Sequence, residues 1–169
     1  MITNVTLSTK EQLLLQDQKT HEEQCILKYD NYANLAVDSQ LKTIFRNIAQ
    51  KEREHLQTIN QLLNGQVPSM AGQSSQQQTG QQQTGQNTGS MPMSQQASID
   101  QSPNNPFKAS DKDMCIDMLS TEKYVSSTYD TTIFECKSAQ VRDVLNHIQK
   151  EEQKHGEQIF SYMQSKGMY

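Results

Sequence analysis

The chain has 169 residues, a net charge of −4, 20% charged and 6% aromatic side chains, and no Trp. That charge argues against a general nucleic-acid binder, which carries a basic patch or stripe. No apolar run approaches the roughly 18 residues that span a bilayer, and three Cys without a Cys-x-x-Cys pair cannot close a disulfide framework. The opening MITNVTLSTKEQ has neither the basic n-region nor the apolar h-region of a secretory signal, so a soluble, intracellularly made protein is expected. At 33%, the hydrophobic fraction is well below that of ordinary globular chains, so either the core is small or a polar segment dilutes it.

In chain order, Ser8 with Glu11 reads as a capping box that opens a first helix over about 9–37. Asp38 then caps a second helix, 39–64. On it Leu41, Phe45, Ile48, Leu56, Ile59 and Leu62 recur at three- and four-residue steps, and Gly65 is the stop. From Gly65 to about Ala109 most residues are Gln, Gly, Ser, Thr, Pro or Asn, and QQQTG occurs at Gln76–Gly80 and again at Gln81–Gly85. Such a stretch buries too little apolar area to offset the entropy of ordering it, so it is read as a disordered connector. Its Gln side chains (residues 73–96) suggest cross-linking or adhesion, and Met91–Met93 is read as connector composition. Ser110 caps a third helix, 111–137, and Ser138 a fourth, 139–166, with Val141, Leu145, Ile148, Ile159 and Tyr162 in helical register and Gly167 as the stop. The organisation expected is a first helical hairpin at 1–64, a connector at 65–109 and a second hairpin at 110–169. Four amphipathic helices hide their stripes against one another, which predicts an all-α four-helix bundle with a long crossover between the hairpins.

The hairpins repeat each other at an offset of 100 residues with no gap. Asp17 matches Asp117, Glu22 matches Glu122, Tyr29-Asp30 matches Tyr129-Asp130, Ile48 matches Ile148, Glu52 matches Glu152, His55 matches His155 and Ile59 matches Ile159. By helical phase, Glu52 and His55 fall on the apolar stripe of the second helix, and Glu152 and His155 on that of the fourth. Glu22 lies 16 residues before the turn at residue 38, while Glu52 and His55 lie 14 and 17 residues after it, so all three sit about 21–25 Å from the turn. The second hairpin repeats this count. Four carboxylates and two imidazoles thus converge among apolar side chains with no Lys or Arg in phase, since Lys51, Arg53 and Lys154 point elsewhere. Unpaired, each buried carboxylate costs several kcal/mol or takes up a proton. Two divalent cations supply the missing positive charge, and a carboxylate-rich set with one imidazole per metal suits iron or manganese, with zinc a further option.

A Glu from each of two helices and Glu-x-x-His from each of the others is the six-ligand pattern of the ferritin-like superfamily, which the chain resembles at Glu22, Glu52, His55, Glu122, Glu152 and His155. The resemblance implies that Glu52 and Glu152 bridge two metals, that Glu22 with His55 and Glu122 with His155 complete one metal each, and that Tyr29 and Tyr129 hydrogen-bond the carboxylates. A narrower resemblance is to the CotF-like spore coat proteins of endospore-forming bacteria. It is close over about 111–169, including the ending QSKGMY, and looser over the first hairpin.

These resemblances imply a spore coat protein with a dinuclear metal centre and a structural, interacting role. It would be made in the mother-cell cytoplasm, then built into the coat beside other coat proteins. A homodimer is an option, and neither nucleic acid nor membrane insertion is expected. The alternative is an oxidoreductase: a rubrerythrin-like di-iron oxidase or peroxidase, or a manganese-catalase-like enzyme removing peroxide, whose metal ligands would be the catalytic set. Against it stand the lack of paired Cys-x-x-Cys motifs for electron delivery, and of the fifth helix of cage-forming ferritins. Cys25, Cys115 and Cys136 match Val125, Leu15 and Ala36 in the repeat and are expected to be buried small hydrophobes. His21 and His147 are expected at the surface, and Glu23, Glu54, Glu151 and Glu157 on solvated helix faces.

Overall fold

A short antiparallel pairing joins the chain's start to the end of the first hairpin, with Thr3 opposite Val67 and Asn4 opposite Gln66. These two-residue strands, β1 (Thr3–Asn4) and β2 (Gln66–Val67), bracket α1 (Thr9–Leu35) and α2 (Ser39–Leu63), and α3 (Asp111–Glu135) and α4 (Ala139–Ser165) follow. The computed structural model describes residues 3–69 and 109–169. The Gln side chains expected to serve cross-linking or adhesion, the Met91–Met93 patch and nearly all of the expected connector lie outside the described residues.

The helix starts follow the local chemistry. Ser8 and Glu11 form a complete capping box: the Ser8 hydroxyl accepts from the Glu11 N–H, and Glu11 accepts from the Ser8 backbone N–H at 2.7 Å. Ser110 does the same with Asp113, Asp38 accepts from Gln40 and Leu41, and Ser138 accepts from Val141. The ends come one or two residues earlier than periodicity suggests, because the turn residues Ala36 and Cys136 take extended backbone. The freed amides have acceptors. Val37 and Asp38 donate N–H bonds of 2.8 and 2.9 Å to Asp111, and Lys137 donates one of 2.8 Å to Glu11. Each hairpin turn is therefore tied to the first turn of the opposite hairpin, by residues that correspond in the repeat. Gly65 and Gly167 take the left-handed conformation that ends α2 and α4.

α1 packs on α2, α3 on α4, α1 on α3 and α2 on α4. Cross-helix bonds fix the directions. Lys28 meets Thr121 while Gln18 meets Thr132, so α1 and α3 run antiparallel; His55 meets Glu151 while Asp38 meets Lys166, so α2 and α4 do too. The result is an all-α four-helix bundle in which the repeat becomes an approximate two-fold. Leu41, Phe45, Ile48 and Leu62 on α2 and Val141, Leu145, Ile148 and Ile159 on α4 are at most 2% exposed. Leu56, expected on that stripe, sits at its half-exposed margin. The stripes of α1 and α3 are more polar, with Gln18, Glu22, Tyr29, Glu122, Tyr129 and Thr132 buried beside Leu15, Cys25, Met114 and Met118.

Candidate metal centre

Midway along the bundle the stripes cease to be apolar. Glu22 and Glu122 come from α1 and α3, and Glu52, His55, Glu152 and His155 from α2 and α4; none is more than 3% exposed. One atom each from Glu22, Glu52, His55 and Glu152 lies within 4.8 Å of the others, and so does one each from Glu52, Glu122, Glu152 and His155. Glu52 and Glu152 are common to both groups. The His55 and His155 rings stack with centroids 5.6 Å apart, and both turn Nδ1 inward. His55 Nδ1 lies 2.9 Å from Glu152 Oε1 and His155 Nδ1 2.9 Å from Glu52 Oε1. Contacts to Glu22 and Glu122 are longer, 3.7 and 3.6 Å.

The hydrogen bonds show what the arrangement lacks. Tyr129 donates its hydroxyl to Glu22 Oε1 and Tyr29 donates to Glu122 Oε1. The other oxygen of each carboxylate is buried with no hydroxyl or amide donor, as are Glu52 Oε1 and both oxygens of Glu152, which face only carboxylates and the imidazole nitrogens. A buried acceptor without a donor costs about 1–3 kcal/mol, and more if charged. Here several gather in one place with lone pairs facing inward. Cations fit that donor set of carboxylate oxygens and imidazole nitrogens once the imidazoles give up their Nδ1 protons. These Glu/His groups could hold a metal ion.

Without cations the charges settle among themselves. Burial, reinforced by Glu52, pushes the Glu22 carboxyl up to about 7. Burial likewise raises Glu152 far above the ordinary range, with Glu52, Glu22 and Glu122 adding to it. Burial acts the same way on Glu52, but the two imidazoles beside it outweigh that and hold it well below. Burial would discharge the imidazoles, yet the surrounding carboxylates win: His155 rises to about 9, under Glu122 and Glu52, and His55 rises well above its ordinary value, under Glu151, Glu152, Glu22 and Glu52. Protons therefore neutralise the metal-free cluster, and cations would displace them.

One participant escaped the sequence reading. Glu151 was expected on a solvated face, but its Oε2 lies 2.9 Å from His55 Nε2, and His55 pulls its carboxyl down to about 2. Its position beside Glu152 hid it, since α4's phase turns it off the core and only the packing of α2 brings His55 to it. His147, also expected at the surface, is half-buried with Nε2 3.5 Å from Glu151. His21 is half-buried against the edge of Tyr124. Glu23 and Glu157 do face solvent, and Glu54 pairs with Lys51 at 2.8 Å. Cys25, Cys115 and Cys136 are buried and unpaired. Burial lifts the Cys115 and Cys136 thiols to about 12 and 11 and Cys25 higher, which leaves them poor nucleophiles.

Residues 110–169 match the Coat F domain family. The matched stretch runs from the cap Ser110 through α3 and α4, and so includes Glu122, Glu151, Glu152 and His155. The Coat F match supports a spore coat role, with the coat as location and other coat components as the implied partners. No curated protein matches the chain significantly. No helix among the described residues is long and apolar enough to cross a membrane.

Proposed function

We propose that the chain is a spore coat protein built on a ferritin-like four-helix bundle that holds two metal ions, iron or manganese before zinc, between Glu22, Glu52, His55, Glu122, Glu152 and His155. The observation that carries this is the set of buried carboxylate oxygens that face one another and two imidazoles with no hydroxyl or amide donor. Glu52 and Glu152, shared by both groups, would serve both cations. Glu22 with His55 and Glu122 with His155 would hold one cation each. Tyr29 and Tyr129 occupy one oxygen of each outer carboxylate and orient the other inward. The cations would tie all four helices together at mid-height, a brace suited to a coat component. The protein would be made in the mother-cell cytoplasm and then join the coat, and the Coat F match supports that destination.

The pair of buried tyrosines favours a second reading, an oxidoreductase acting on dioxygen or peroxide. Iron or manganese would supply the redox chemistry, and the chain would supply carboxylates, imidazoles and a site closed to bulk water. One experiment separates the two. Protein purified from sporulating cells is analysed for metal and assayed for peroxide turnover. Two metal ions per chain without turnover are expected, and the double variant Glu52→Ala, Glu152→Ala should lose the metal. Rapid turnover that the double variant abolishes would move the function to the enzyme. Metal-free protein from those cells would overturn the dinuclear centre.

A further inference from the structure

The approximate two-fold that relates the hairpins fails at one place beside the centre. Behind His55, on the side away from the carboxylate cluster, Glu151 Oε2 sits 2.9 Å from Nε2. The same oxygen is within 3.5 Å of His147 one turn earlier on α4. The repeat puts Lys51 where the matching acceptor for His155 would stand. Lys51 cannot accept a proton, and its ammonium pairs with Glu54 at 2.8 Å. Among the described residues no carboxylate reaches His155 Nε2.

A histidine binds a metal through one nitrogen only if the other carries the proton, and an acceptor on that second nitrogen fixes the tautomer and the ring's orientation. With Nε2–H donated to Glu151, the proton that a cation displaces from His55 leaves Nδ1, whose lone pair then faces the side of Glu22, Glu52 and Glu152. His155 has no such hold. We infer that Glu151 is a positioning residue that makes the two metal positions unequal: the His55 position binds tightly, and the His155 position holds the exchangeable ion. This rests on the dinuclear reading above. It adds that one Glu/Lys difference within the repeat sets the order of loading.

Cobalt(II), a redox-inert probe under these conditions, tests it on the full chain by titration against a competing chelator at fixed pH. His155→Ala isolates the His55 position and His55→Ala isolates the other, with circular dichroism confirming the helices. In the His155→Ala chain, adding Glu151→Ala should weaken cobalt binding about 10–100-fold. Glu151→Gln, which keeps an acceptor without the charge, should recover at least half of that loss on a logarithmic scale. In the His55→Ala chain, Glu151→Ala should change affinity by less than about threefold. Lys51→Glu in the otherwise unaltered chain should tighten the second cobalt. Equal weakening of both positions would mean that Glu151 acts only through its charge, and no weakening would mean that it does not act; either overturns the inference and leaves the dinuclear centre standing. A wild-type chain that takes up no cobalt would overturn both.

Discussion

Glu152 has both carboxylate oxygens buried against other carboxylates and the His55 imidazole, and burial together with Glu52, Glu22 and Glu122 raises its carboxyl far above the ordinary range. Such a residue weakens the metal-free fold and is tolerable only for what it binds. Replacing a buried ionic group with an apolar side chain of similar size is often stabilising, by about 1–4 kcal/mol. Glu152→Met is therefore expected to raise the denaturant midpoint of the chelator-treated protein while abolishing cation uptake; a lower midpoint would show that Glu152 supports the apo core. Tyr129→Phe leaves Glu22 Oε1 without its donor, and Tyr29→Phe does the same to Glu122. Each should cost about tenfold or more in cobalt affinity with the helix content unchanged, read by the same chelator competition.

Hairpin turns and helix starts are coupled through single acidic side chains. Glu11 is 2% exposed, yet it serves both its own helix cap and the Lys137 amide of the opposite hairpin. Burial alone would raise its carboxyl, but the Ser8 hydroxyl and the Ser8 and Lys137 amides outweigh it and hold it below the ordinary 4.5. A depressed carboxyl stabilises the fold in full above its unfolded value and loses that contribution as pH falls through the folded one. Glu11→Gln should thus cost about 1 kcal/mol near neutral pH, with the gap to wild type closing progressively below pH 4.5, followed by denaturant unfolding across pH. Gly65 makes a different demand. Its φ is +75°, and a Cβ there would stand 2.8 Å from the Val5 carbonyl oxygen. Gly65→Ala combines left-handed strain with a backbone clash that no rotamer relieves, so a loss of at least about 1 kcal/mol is expected, read as a lower thermal midpoint.

At the scale of the whole molecule, antiparallel α1 and α3 place the end of α2 and the start of α3 at opposite ends of a bundle about 40 Å long. Some twelve extended residues span that distance. Closure entropy grows only slowly with loop length. Replacing residues 70–108 with about 20 Gly/Ser residues is therefore expected to leave the bundle's helicity and cobalt stoichiometry unchanged; loss of either would give the Gln-rich stretch a part in folding. On the proposed dinuclear reading cations bind the folded bundle and not the unfolded chain, so chelation should lower the melting temperature of the loaded protein, and readded metal should restore it in a concentration-dependent way. A melting temperature indifferent to chelator would remove the brace.

Helix number, the capping residues and the mid-height convergence of Glu22, Glu52, His55 and their repeats were legible in the chain alone. They follow from a 3.6-residue period, short-range capping and the 100-residue repeat, all local or additive along a helix. Other features depended on which helix lies against which. The β1–β2 pairing, Tyr29 reaching Glu122 while Tyr129 reaches Glu22, the ties from Glu11 and Asp111 to the opposite turns, and Glu151 standing behind His55 are all contacts between segments distant in sequence. Phase tells a residue which way to face on its own helix. Only the packed neighbour decides what it meets there, and that is why the convergence of the six side chains could be read in advance and the contact of Glu151 with His55 could not.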